Sequence, residues 1–215
     1  MCGVFGFTGK NGKTVDMDRL CEIARVTNQR GNHAWGIAWI DTRGRLCHFR
    51  QQGPIVDSLP LLAMASDAVA LIGHCRYATQ GAPEQAINNH PHPADGGWIV
   101  HNGMIRGYRQ IVEREALNPV SDCDSELLGL LIERLDQDDL VDRVARATEL
   151  AKGRSWSPLV MLGLWKPGRL IAVRRGNPLV VSQTRRGVWL ASLADGMPGK
   201  PREVPDETVL SFSPA

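Results

Sequence analysis

The sequence has no CxxC pair, no run of basic residues and no apolar stretch long enough to span a bilayer. Its five cysteines, Cys2, Cys21, Cys47, Cys75 and Cys123, are odd in number and widely separated. That spacing argues against a disulfide framework or a zinc knuckle and for a reducing compartment. Twenty of the 25 basic residues are Arg, yet the densest groups are the pairs Arg174-Arg175 and Arg185-Arg186, and the net charge is only +2. So even a scatter predicts no basic face for nucleic acid. No basic segment leads into an apolar core and cleavage site near Met1, so a cytoplasmic protein without a membrane partner is expected. Internal repeats, linkers and low-complexity tracts are also lacking, and residues 2–215 are expected to form a single domain.

What is present is an ordinary globular pattern, 43% apolar, with 22 Gly and 13 Pro to supply turns. Gly3 to Thr8 reads as a strand and Asp16 to Gln29 as a helix closed by Gly31. Ala34 to Ile40 and Leu46 to Arg50 read as a hairpin around the turn Asp41 to Gly44. Leu59 to Ala65 suits a short helix and Ala68 to His74 a buried strand. The Gly/Pro/Asn/His-rich stretch from Gln80 to Gly97 reads as loop, followed by a strand from Trp98 to His101 that runs into a turn at Asn102-Gly103. Helices are predicted over Gly107 to Ala116, Cys123 to Leu135 and Asp139 to Ala151, the last ending at Gly153. Pro158 to Trp165, Arg169 to Arg174, Leu179 to Ser182, Val188 to Ala191 and Thr208 to Ser211 read as strands. Several hairpins and at least three helices suggest an α+β protein with two antiparallel sheets and helices outside.

Cys2 is the most informative position. Removal of Met1 would give one residue both a thiol nucleophile and a free α-amine, whose reference pKa near 7.7 to 8.0 suits a general base. The same residue could be an inert cysteine at the start of a strand. Arg76, in Gly73-His74-Cys75-Arg76-Tyr77-Ala78-Thr79, could present its fork to a carboxylate. His101-Asn102-Gly103 offers an amide and a flexible backbone N–H to an oxyanion, although Asn-Gly alone is equally a hairpin turn. Asp122 to Glu126 opens a helix, so its acids could cap that helix or receive an ammonium. His90-Pro91-His92 and His101 invite a metal reading, but no acid or thiol sits at recognisable spacing, and neither metal nor cofactor is expected.

Together these segments resemble the class II glutamine amidotransferases, the N-terminal-nucleophile family, and above all the glutaminase domain of the hexosamine-forming aminotransferases. The matching segments are Met1-Cys2-Gly3-Val4-Phe5-Gly6, Arg30-Gly31 with Gly36, and Gly73-His74 through Arg76-Tyr77-Ala78-Thr79 with Gly81. They continue with Asn89-His90-Pro91-His92, His101-Asn102-Gly103, Cys123-Asp124-Ser125-Glu126 in the Thr-Asp-Thr-Glu segment, Arg174 to Leu179, and Ala191-Ser192. The resemblance runs from about residue 2 to residue 212.

The resemblance implies a four-layer αββα sandwich, with two antiparallel sheets between helical layers. It implies Cys2 as nucleophile with its amine as base, and Asn102 and Gly103 as the oxyanion hole. It also implies Arg76, Thr79, His101 and Asp124 around the substrate, with Arg76 on the α-carboxylate and Asp124 on the α-amine. The implied reaction is hydrolysis of the glutamine amide through a Cys2 thioester, with ammonia passed to a separate synthase subunit. A stand-alone hydrolase of a related γ-glutamyl amide, or a binding module that keeps the fold, are the alternatives. Two departures bear on substrate preference: His33 stands where the family has an acid, and Gln80 follows Thr79 where close relatives often have His.

Overall fold

The computed structural model describes residues 1–152 and 157–214. In its first half, β1 (Gly3–Gly9) is followed by α1 (Met17–Thr27), β2 (Ala34–Asp41), β3 (Leu46–Gln52) and β4 (Ala68–Arg76). Next come β5 (His92–Ala94), β6 (Gly97–Gly103), α2 (Tyr108–Arg114), α3 (Glu126–Arg134) and α4 (Leu140–Leu150). The remaining strands are β7 (Leu159–Trp165), β8 (Arg169–Arg175), β9 (Val180–Gln183), β10 (Gly187–Ala191), β11 (Arg202–Glu203) and β12 (Thr208–Phe212). Gly153, the expected end of α4, lies outside the described residues.

The strands form two sheets, ordered β11-β9-β10-β1-β4-β2-β3 and β12-β8-β7-β6-β5, and every pairing is antiparallel. Because side chains alternate along a strand, each sheet feeds two apolar layers. On β1, Phe5 and Phe7 point to α1, where they meet Leu20 and Ile23, while Val4 points to the second sheet. On β7, Met161 faces Leu127 and Leu131 of α3, while Val160 and Leu162 face the first sheet. The layer between the sheets contains strand residues such as Val4, Ile72, Val100 and Leu190. This is the four-layer αββα arrangement, built from three stacked apolar layers. No helix among the described residues is long and apolar enough to cross a membrane.

Three local expectations change. Asn102-Gly103 is not a turn: the two residues continue β6, paired with Val160 and Leu159 of β7. Residues 80–97 are not all loop, since His92–Ala94 form the edge strand β5 against Ile99, Trp98 and Gly97. The helix expected at Leu59 to Ala65 is a 3-10 segment, Ile55–Ala65, kinked at Ser58.

β1 occupies the middle of its sheet, between β10 and β4, and its pairing with β4 begins at Gly3, opposite Cys75. Val4 extends the pairing with β10, donating its N–H to Ser192 Oγ at 3.0 Å and accepting from Ser192 N–H at 2.9 Å. A terminus held this closely does not fray.

Candidate active site

Cys2 sits at the end of β1, beside the segment that leaves β4. Its Sγ accepts the Tyr77 N–H at 3.3 Å, and the thiol lies 3.5 Å from the Tyr77 carbonyl. Arg30 Nε donates to the Cys2 carbonyl at 2.8 Å. With Met1 in place, burial pushes the Cys2 thiol up, opposed by the Tyr77 N–H, the N-terminal amine and Arg76, while Asp124 adds to the rise. Arg76 and Asp124 thus both lie within electrostatic reach of the sulfur.

Close backbone approach holds this corner together. A Cβ on Gly31 would lie 2.5 Å from the Arg76 carbonyl carbon and 2.6 Å from the Tyr77 nitrogen. His33 Nδ1 accepts the Ala78 N–H at 3.0 Å, and its ring stacks on Tyr77 with centroids 4.6 Å apart. The imidazole at this departure from the family pattern therefore supports the chain that touches Cys2.

Arg76 is buried, and its guanidinium grips the following loop. Nη1 donates to Asn89 Oδ1 at 2.8 Å, and Nη2 donates to the carbonyls of Gln80 and Gly81, the latter at 3.0 Å. Asn89 passes the grip on, donating to the Pro83 carbonyl at 2.7 Å. Thr79 lies on the exposed side of the same turn. Gln80, the second departure, contributes its carbonyl to Arg76, while its side-chain Oε1 is buried without a partner among the described residues.

Asn102 and His101 are neighbours on β6 and therefore face opposite ways. Asn102 stands opposite Val160, on the layer between the sheets. Its Nδ2 is buried and has no hydrogen-bond partner among the described residues, while its carbonyl accepts from Asn177 Nδ2 at 2.8 Å. The His101 imidazole points instead to the helical layer, where Nδ1 meets Ser125 Oγ at 2.8 Å and Nε2 packs under Gly103. The side chain of His101 is therefore a brace between β6 and the start of α3, on the face away from the Asn102 amide. Its carbonyl accepts from His74 Nε2 at 3.0 Å.

Asp124 does not cap α3. Its Oδ2 accepts the Ile105 N–H at 2.6 Å, joining the chain after β6 to the segment before α3. Burial pushes its carboxyl up, opposed by the Ile105 N–H and by Arg76. The acid that organises this segment is Glu126, which accepts the N–H groups of Val120 and Ser121 at 3.1 and 2.7 Å. A cleft of about 640 Å³ opens beside the carbonyls that hold Arg76; Gln80, Gly81, Met104, Ile105, Arg109 and Asp122 are among its walls. Cys2 is not among the cleft's lining residues.

In the sequence, Asn177 and Ser192 carry no sign beyond their place in the late segments of the resemblance. The structure places Asn177 on the Asn102 carbonyl and Ser192 on Val4. The absence of a thiol near the histidine pair in sequence also does not survive folding: ligand atoms of His90, His92 and Cys123 lie within 4.8 Å of one another.

The sequence matches the family described as Glutamine amidotransferases class-II over residues 1–153. It is 30% identical over 208 residues to glutamine–fructose-6-phosphate aminotransferase of Corynebacterium efficiens, covering 91% of this chain and 33% of the relative. The Aquifex aeolicus enzyme of the same name is 30% identical over 198 residues, covering 89% of this chain and 32% of the relative. The chain thus spans about a third of the length of the curated relatives it matches. Among solved structures, glutamine phosphoribosylpyrophosphate amidotransferase from B. subtilis superposes with a TM-score of 0.73 at 21% identity, over 98% of this chain and 49% of that one. A predicted glutamine amidotransferase from Pseudomonas aeruginosa PA01 gives 0.56 at 15% identity, over 98% and 92%. With Cys2 held directly ahead of the central strand of an αββα sandwich and the family matched over residues 1–153, the chain belongs to the class II glutamine amidotransferases.

Proposed function

We propose that residues 2–215 act as one domain that, once Met1 is removed, hydrolyses the side-chain amide of L-glutamine to glutamate and ammonia. The observation that carries this reading is the Asn102 side chain. A buried amide donor without an acceptor costs about 1–3 kcal/mol, and an oxyanion is the acceptor that such a donor suits.

In this reading the new α-amine of Cys2 takes the thiol proton, and the thiolate attacks the amide carbon. Asn102 and the Gly103 backbone N–H receive the oxyanion. The protonated amine then returns a proton to the leaving ammonia, and water opens the γ-glutamyl thioester. Asp124, whose carboxylate is lined up by the Ile105 N–H, receives the substrate ammonium. Arg76 supplies the positive charge for the α-carboxylate, which replaces the Gln80 and Gly81 carbonyls on Nη2. Thr79 borders that position. His101 acts through its carbonyl and through its ring as a brace to Ser125, without touching the substrate. The five free thiols suit a reducing cytoplasm.

The ammonia would pass to an ammonia-using synthase, the role that the resemblance gives to a separate subunit. The three acceptors on Arg76 and the His33 support also allow a related γ-glutamyl amide as substrate. The test is release of ammonia and glutamate from L-glutamine and from γ-glutamyl amides by protein with a confirmed Cys2 terminus, with Cys2→Ala alongside. Cys2-dependent release supports the reading. Equal release by the alanine variant, or none from any amide in the presence of candidate synthases, overturns it.

A further inference from the structure

A row of buried imidazoles crosses the molecule beside the candidate active site. His74 stacks on His90 with centroids 3.8 Å apart, and His90 meets His92 edge-on at 4.7 Å. His74 spends its Nε2 proton on the His101 carbonyl. His92 stands opposite Ile99 on β5, so its ring faces the helical layer. There the segment before α3 delivers Cys123. The Pro91 carbonyl between the two rings is held by Arg50, with Nε at 2.9 Å and Nη2 also donating.

His90, His92 and Cys123 are 3%, 1% and 5% exposed. Both ring nitrogens of His90 and Nε2 of His92 are buried without a hydrogen-bond partner among the described residues. Buried polar atoms without partners are costly, and one ligand nitrogen from each ring lies within 4.8 Å of the Cys123 thiol. Two imidazoles and a thiolate form a borderline-soft donor set with no carboxylate, which disfavours magnesium and calcium and suits zinc. Tetrahedral zinc would place its ligand atoms roughly 3.4–3.6 Å apart, so the outermost pair has to close by on the order of 1 Å.

We propose that His90, His92 and Cys123 form a site for one zinc-class divalent cation. Each ring donates a nitrogen lone pair and Cys123 binds as thiolate, its proton passing to solvent as the metal enters. The fourth position is left to water. The ion would tie the strand β5 to the residue that precedes Asp124, which makes it a clamp on the substrate-binding segment and not a participant in amide cleavage.

The test uses the full chain and its Cys2→Ala form, in which the terminal thiol cannot contribute a ligand. Both are loaded with zinc chloride, gel-filtered and analysed for metal. About one zinc per chain is expected in each, with loss in Cys123→Thr and His92→Gln proteins that keep the parent circular-dichroism spectrum. Loading with cobalt(II) chloride should give a thiolate-to-cobalt charge-transfer band in the Cys2→Ala protein that Cys123→Thr lacks. Substoichiometric metal, retention in Cys123→Thr, or a cobalt complex without the thiolate band overturns the site. Absence of the thiolate band from cobalt-loaded Cys2→Ala protein overturns the site even if Cys123→Thr fails to fold. Failure here leaves glutamine hydrolysis untouched, since metal content is read without turnover.

Discussion

The side-chain amide of Asn177 donates to the main-chain carbonyl of Asn102 at 2.8 Å, joining the end of β6 to the turn between β8 and β9, 75 positions away. Asn102 is thus held by a residue from the turn after β8. Replacing Asn177 with Ala leaves a buried acceptor unpaired, at a cost of about 1–3 kcal/mol. The expected result is a fall in kcat of about 10- to 100-fold with KM for glutamine nearly unchanged, because misplacement by a fraction of an ångström is felt in the transition state. Steady-state kinetics decide; a rise in KM at constant kcat would place Asn177 on the substrate instead.

His33 supports the Tyr77-Ala78 backbone through one accepted hydrogen bond and one stacking contact. Asn at this position offers an oxygen acceptor in nearly the same place, whereas Leu offers none. His33→Asn should keep most of the activity, and His33→Leu should lose up to about tenfold in kcat/KM, the worth of one net hydrogen bond. Equal activity in the two variants would mean that the bond does not position the segment.

Asp124 gives a pH-dependent signature. Burial holds its carboxyl above its ordinary range. The folded protein therefore binds this proton more tightly than the unfolded chain, and the contribution to stability declines as pH rises through the window from the unfolded to the folded value. Asp124→Asn removes that decline. The variant's melting temperature should gain on the wild type's from pH 4 toward 7, measured by calorimetry, while kcat/KM for glutamine falls by about 10- to 100-fold through loss of a charged hydrogen bond. A gap that narrows with pH would show that the carboxylate is stabilising where it stands.

Gly31 has no room for a side chain, because a Cβ would press on the Arg76–Tyr77 backbone. Gly31→Ala should cost about 1–3 kcal/mol of stability as overpacking. The displaced atoms are those that hold Cys2, so activity in the folded fraction should drop as well. Denaturation curves and turnover of the same sample separate the two effects.

Much of this architecture could be read from local pattern. The strand β1, with Phe5 and Phe7 alternating against Val4, and the α1 stripe of Leu20, Ile23 and Ala24 are visible because periodicity reports which face is buried. Asn102-Gly103 misled because the dipeptide is a local turn signal, whereas pairing with β7 is a tertiary fact. The edge strand His92–Ala94 has no alternation to read and exists through its partner β6. The opposed directions of His101 and Asn102 were implicit in a strand's period of two, once β6 was extended through them. Asn177 and Cys123 gave no such signal: each meets its partners only after folding, and spacing along a chain does not encode that distance.

β1 is flanked on both sides and starts at Gly3, and Arg30 holds the carbonyl of Cys2 itself. A purification handle left ahead of Cys2 would keep its nitrogen in a peptide bond, so that no free amine could form. Handles belong at the other end of the chain, and a recombinant preparation should be judged by its first residue before it is judged by its turnover.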